Sequence, residues 1–212
     1  RTKGVASTKN WALDHCDMVN PKDFPRIAKT GVMMSCYIRI NNLKSMAASY
    51  GEQMANTFHA PAGSMIKAGG KVTLETDSNS YIWQDMETFV TRKDRDGKVW
   101  GPQDRVDHPT ILKMITSWAA EYVLKPDKLG SIEKGKLADL VVIDKDFLTI
   151  PDEEIHTIVP QITMMDGKVV YVQSDFAKEN NFRPAGSLVS NYQDLKARRP
   201  PALSAAETSG GG

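Results

Sequence analysis

Few side chains in this sequence are equipped to do chemistry, and they are thinly spread: four histidines (His15, His59, His108 and His156) and two cysteines (Cys16 and Cys36). His15 sits at the end of the apolar run 11–16 (WALDHC), and Asp77 follows the short run 71–75 (KVTLE) in a Thr76-Asp77-Ser78-Asn79 turn. A neutral imidazole and a carboxylate are suitable donors for a borderline ion such as zinc, at bond lengths of roughly 2.0 to 2.2 Å. By residue type alone each also has an ordinary reading. His15 reads as a strand-end histidine satisfied by its neighbours, and Asp77 as the carboxylate of an Asx turn.

The remaining candidates read more plainly. His59 is expected to face solvent from a loop that could reach substrate, His108 to mark a helix start beside Pro109, and His156 to lie remote from either. Cys16 and Cys36 lack a C-x-x-C spacing and are expected to be buried free thiols. Trp83, Phe89 and Trp100 suit core packing, or the lining of a pocket for a hydrophobic acyl or amine group. The cluster 92–95 (RKDR) suits a solvated loop, or a grip on a substrate carboxylate.

The elements that must position these groups alternate. Residues 11–15 read as a short strand, 21–29 as a helix after Asn20-Pro21 with Gly31 ending it, and 32–37 (VMMSCY) as a second strand. A longer connection follows, with helices around 45–54 and 62–68 closed by Gly69-Gly70, then a third strand at 71–75. Helices are expected at 82–91 and 109–123, separated by a charged insertion that turns at Asp96-Gly97. Beyond Gly130 the pattern becomes β, at 139–144, 157–165 and 168–172, with an Asp166-Gly167 hairpin turn. Residues 173–212 carry Pro184, Pro200, Pro201 and a terminal Gly-Gly-Gly, and are expected to form an extended or disordered tail.

Bulk composition excludes several classes. The 27 basic and 26 acidic residues leave a formal charge of +1, so no field recruits nucleic acid or an anionic membrane. No apolar run approaches the roughly 18 residues of a membrane span. A cytoplasmic location is favoured, although the chain opens on Arg1 rather than Met and a targeting segment could precede it.

Residues 129–144 (LGSIEKGKLADLVVID) join a glycine-punctuated turn to a strand, and they resemble the C-terminal signature of the metal-dependent amidohydrolases. From 11 to 171 the chain is similar to the C-terminal part of the subgroup that includes N-substituted formamide deformylase. The resemblance implies an α/β fold: strands six to eight of a (β/α)8 TIM-like barrel over 1–128, and the C-terminal half of a small composite β-sandwich over 129–172. A complete barrel takes roughly 250 residues, more than the 212 present.

The same resemblance implies the site. His15 takes the place of the metal-binding histidine after the sixth strand, and Asp77 that of the aspartate after the eighth, which serves as metal ligand and catalytic general base. The reaction implied is hydrolysis of an amide-type C–N bond in a small molecule, with water activated by one or two divalent ions, zinc by preference. The His-x-His pair, the bridging lysine and the further histidine of the family would all precede Arg1. Activity is therefore expected only with the missing N-terminal barrel half, as a separate chain or segment, in a homo- or hetero-oligomer. The alternatives are an inactive remnant serving as a structural or assembly subunit, and a binding module without turnover. Glu75-Thr76-Asp77 also departs from the family's Gly-Ser-Asp or Gly-Thr-Asp.

Overall fold

A computed structural model describes residues 11–38, 42–77 and 81–186, together with 193 and 197. Strands β1 (Ala12–Leu13), β2 (Met33–Cys36) and β3 (Val72–Leu74) form a parallel sheet in that order. Ala12 pairs with Met33, Met34 with Val72 and Ser35 with Thr73. The expected β-α-β order holds at both crossovers. In the first, Asn20 Oδ1 accepts from the Lys22 N–H, and helix α1 (Phe24–Thr30) ends on left-handed Gly31. In the second lie α2 (Asn42–Tyr50), α3 (Glu52–Phe58) and α4 (Ala62–Lys67).

Strand alternation sorts this sheet into two unlike faces. Met34, Cys36 and Val72 point into a buried apolar core that also holds Met65, Phe89, Ile111 and Met114. The opposite face carries Ser35 and Thr73 and, continuing the alternation past the strand ends, Asp14 and Glu75. β1 is shorter than the five residues expected. It is an edge strand with Trp11 and Leu13 half exposed, and the chain leaves extended geometry at His15, whose φ is 54°.

Cys16 and Cys36 are not free thiols, as their spacing suggests, but a disulfide with Cα atoms 4.7 Å apart. The Cys16 N–H donates to the Ser35 carbonyl at 2.9 Å, continuing the parallel pairing past β1 and bringing the two side chains together. No local motif announces a contact between neighbouring strands 20 residues apart.

Helix α5 (Ile82–Thr91) ends at Arg92, which adopts left-handed geometry and turns inward. Its guanidinium is fully buried, donating from Nε to the Trp100 carbonyl (2.9 Å), from Nη1 to Ala60 (3.1 Å) and from Nη2 to His59 (3.0 Å). Burial pulls its pKa down to about 10. The solvated-loop reading of 92–95 therefore fails at Arg92, whose donors are committed to backbone carbonyls rather than to a substrate. Trp83, Phe89 and Trp100 are buried with the core. The Asp96-Gly97 turn is present, with Asp94 and Lys98 bonded across it.

The single helix expected over 109–123 divides into α6 (His108–Ile115) and α7 (Ser117–Tyr122). Asp107 caps α6 by accepting from the Thr110 N–H at 2.8 Å. The break falls at Thr116, whose hydroxyl donates back to the Leu112 carbonyl. Gly130, at φ 88°, closes against this break, and a Cβ there would lie 2.8 Å from the Thr116 carbonyl oxygen and 2.7 Å from Ala120 Cβ. The first glycine of the 129–144 signature thus docks the following segment onto α7.

That segment forms a second sheet, antiparallel, from β4 (Leu140–Ile143), β5 (Pro160–Met165) and β6 (Lys168–Val172), in that order. The Asp166-Gly167 hairpin is as expected, with both residues at positive φ. β5 starts later than position 157, because Asp152–Thr157 form a 3-10 helix pinned by the His156 N–H to Glu87 Oε2 at 2.9 Å. Within the segment expected to be a tail, helix α8 (Ser174–Glu179) forms and Ala185 bridges to Val172. Residues 187–212 lie outside the described residues apart from 193 and 197. Among the described residues no helix is long and apolar enough to cross a membrane.

Candidate metal centre

The polar face of the parallel sheet gathers its charged groups at the C-terminal ends of the strands. His15 Nδ1 lies 3.1 Å from Glu75 Oε1 and 3.5 Å from Asp14 Oδ2. The Ser35 hydroxyl stands between the two carboxylates, in contact with Asp14 Oδ1 and Glu75 Oε2. One hydroxyl proton serves only one carboxylate at a time. The Tyr122 hydroxyl reaches Asp14 Oδ1 at 3.2 Å, and the His15 N–H donates to Glu75 Oε2 at 3.3 Å.

Backbone pairing holds these donors in place. The Glu75 N–H donates to the Cys36 carbonyl at 2.9 Å, and the Cys16–Cys36 disulfide ties the residue after His15 to the residue after Ser35. The Glu75 carboxylate, helped by Asp14 and Asp17, raises the His15 pKa above its ordinary value. Hydrogen bonding from Ser35 holds Asp14 below its usual range, while burial pushes the Tyr122 phenol up.

Of the two residues singled out from sequence, His15 is in this cluster. Asp77 lies two positions past Glu75, exposed, and outside the group whose donor atoms fall within 4.8 Å of one another, which is Asp14, His15 and Glu75. Asp14 and Glu75 were not singled out. Their signal was the period-two alternation with Ser35 and Thr73, which places them on the face His15 joins.

The other histidines lie elsewhere. His59 does not face solvent. It is buried, its Nδ1 is 3.1 Å from the Asp17 carbonyl, and burial lowers its pKa. Its Nε2 makes no hydrogen bond among the described residues. His108 begins α6 beside Asp152, and His156 pairs with Glu87 at 2.6 Å. A cavity of about 670 Å³ opens at the other end of the sheet, between Trp11, Met33, Lys71 and Tyr122, where the strands begin.

Comparison with known proteins gives the family and the fold. The profile of the amidohydrolase family matches residues 2–171. A 5-methylthioadenosine/S-adenosylhomocysteine deaminase of Thermodesulfovibrio yellowstonii is 40% identical over 88 residues, covering 40% of this chain and 20% of that protein. N-substituted formamide deformylase of Arthrobacter pascens is 30% identical over 124 residues, covering 57% of this chain and 23% of that enzyme. Among solved structures, a zinc-bound adenosine deaminase from Xanthomonas campestris superposes with a TM-score of 0.55 at 18% identity, over 76% of this chain and 37% of the other. Atrazine chlorohydrolase TrzN of Arthrobacter aurescens, complexed with zinc, gives 0.54 at 20% identity, over 76% and 36%. The chain thus spans about a fifth to a quarter of the length of these two curated relatives. On the match over residues 2–171, the chain belongs to the amidohydrolase family.

Proposed function

We propose that this chain is the C-terminal part of a metal-dependent hydrolase of amide-type C–N bonds, active when the N-terminal barrel half completes it. The observation that carries the reading is the meeting of an imidazole and carboxylates at the C-terminal ends of three adjacent parallel strands, where barrel enzymes place their chemistry. β1, β2 and β3 then correspond to strands six to eight of a (β/α)8 barrel within 1–128. The antiparallel sheet supplies the C-terminal half of a composite sandwich within 129–172, and 173–212 an appended tail.

The donor types fit a zinc ion, one or two per site, and relatives whose structures contain zinc support that choice. When bound, the ion supplies Lewis acidity and brings the pKa of water toward about 7. His15 holds it as a ligand. Asp77 acts as a further ligand and as general base, accepting a proton from water and passing it to the leaving nitrogen. Glu75 and Asp14 orient the His15 imidazole through its Nδ1. The substrate is a small amide or a related C–N compound.

The competing reading, an inactive assembly subunit, draws on the same cluster, because Glu75 already engages His15. Native material, purified with any polypeptide that accompanies it, decides between them. The expected result is a co-purifying chain bearing His-x-His, stoichiometric zinc, and ammonia or amine release from a panel of formamides and aminopurine nucleosides. Asp77→Asn should lower that turnover by about 10² to 10⁴-fold. A monodisperse chain without partner or turnover would overturn the hydrolase reading.

A further inference from the structure

We propose that His59 is a positioning residue for the candidate centre: through a hydrogen bond from its ring to the Asp17 carbonyl, it holds the turn that carries His15. That His15 matters to chemistry rests on the hydrolase reading. The part His59 plays in placing it does not.

The turn is held from both sides. On the near side the Cys16 N–H donates to the Ser35 carbonyl at 2.9 Å. On the far side residues 17–19 run antiparallel to 58–60. Met18 bridges to His59, the Val19 N–H donates to the Phe58 carbonyl at 3.2 Å, and the Ala60 N–H donates to the Asp17 carbonyl at 3.2 Å. The His59 ring adds a second bond to that carbonyl, with Nδ1 at 3.1 Å. A carbonyl oxygen only accepts, so Nδ1 carries the proton. With both lone pairs of the Asp17 oxygen engaged, the peptide plane between Asp17 and Met18 is fixed in orientation.

Between these anchors His15 sits at φ 54°. Left-handed backbone is unfavourable for a residue with a side chain, and it persists only where the surroundings over-determine it. Releasing an anchor lets the turn relax to negative φ. The imidazole then leaves Glu75, now 3.1 Å away, and the Tyr37 ring, whose centroid is 6.0 Å from its own.

Holding the turn this way leaves a defect behind. His59 is 1% exposed, and its Nε2 is sealed from solvent with no hydrogen bond among the described residues. An apolar side chain of similar size would fill the space without stranding a nitrogen. What the imidazole adds over it is the bond to Asp17. The backbone of His59 is fixed in turn, because Arg92 donates to the His59 carbonyl at 3.0 Å and to the Ala60 carbonyl at 3.1 Å, with Ala60 at φ 42°. Two non-glycine residues in left-handed geometry and one stranded polar atom thus lie between the buried guanidinium and the candidate ligand. Local rules are broken together where a side chain must be placed.

The test uses the full chain, metal-free and isotopically labelled for NMR. His59→Leu removes the donor, and His59→Asn restores an amide nitrogen at the place of Nδ1. His59→Gln, whose amide matches Nε2 instead, is a second disrupting variant should His59→Leu fail to fold. In His59→Leu and His59→Gln the NOE between the His15 and Tyr37 rings should disappear, and the Val19 N–H should exchange with solvent at least about tenfold faster. The Ile111 N–H, bonded to Asp107 at the start of α6, should exchange as in the parent. His59→Asn should recover both signals. A histidine that merely stabilises the fold would instead move Val19 and Ile111 by the same factor and leave the ring contact intact in folded molecules. That pattern, an unchanged NOE in both disrupting variants, or no recovery in His59→Asn would overturn the proposal. No readout needs a partner chain, an ion or turnover, so a failed hydrolase reading and a failed positioning role give different results.

Discussion

The two sheets of this protein differ in how far the described residues cover them. In the parallel sheet, Met34, Ser35 and Cys36 of the central strand are buried one after another, with helices over the apolar face and the polar cluster on the other. In the antiparallel sheet, consecutive residues point to opposite faces, yet Val141 and Val142 are 50% and 46% exposed and Val169 and Val170 are 48% and 43% exposed. Apolar residues exposed on both faces of a strand mark a sheet without a covering layer among the described residues. Among those residues the first region holds most of the burial, and the second is the more open.

The largest effect belongs to Arg92. Its guanidinium ties the His59-Ala60 loop to Trp100 through three carbonyls in a fully buried position. Arg92→Met keeps much of the volume but takes the guanidinium from those three carbonyls and its compensating charge from the neighbouring Asp104. The expected loss is about 3 to 5 kcal/mol in urea denaturation. A loss below about 1 kcal/mol would show that the first region is looser than its burial implies.

The disulfide comes next. It closes a loop between residues 20 apart, which in the chain-entropy account stabilises the native state by about 3 kcal/mol. Cys16→Ala should lower stability by roughly that amount, read from the denaturation midpoint under non-reducing conditions. Because the bridge lies directly behind Asp14, His15 and Ser35, the same variant should broaden the His15 ring resonances. An unchanged midpoint would mean that the bridge adds nothing to a sheet already fixed by pairing.

What could be read from the sequence follows the range of the forces involved. The parallel strands, the Asp166-Gly167 hairpin, the Asn20-Pro21 helix start, the cap at Gly31 and the first-turn Pro109 were legible, because apolar runs and turn chemistry act within a few residues. His15 was legible for the same reason, standing at the end of such a run. Arg92, His59 and the disulfide were not. Each depends on partners brought from 8 to 42 residues away, and charge or loop context suggested exposure. Asp14 and Glu75 fall between these cases. Alternation with Ser35 and Thr73 put them on one face, but strands of two and three residues are too short for that pattern to stand out from a continuous apolar run.

The smallest expected effect is the sharpest test of the division. Val142 sits in β4 opposite Ile162, nearly half exposed. A buried valine replaced by threonine gives up a methyl contact and buries a hydroxyl, which costs well over 1 kcal/mol when no partner is at hand. At an uncovered position the hydroxyl meets water and threonine keeps its β-branched fit to the strand. Val142→Thr should therefore change the stability of this chain by less than about 0.5 kcal/mol. In a preparation containing the covering half, the same substitution should weaken association, because Val142 then becomes a contact. A destabilisation of 1 kcal/mol or more in the lone chain would mean that β4 is already covered there, and that the antiparallel sheet is no less finished than the parallel one.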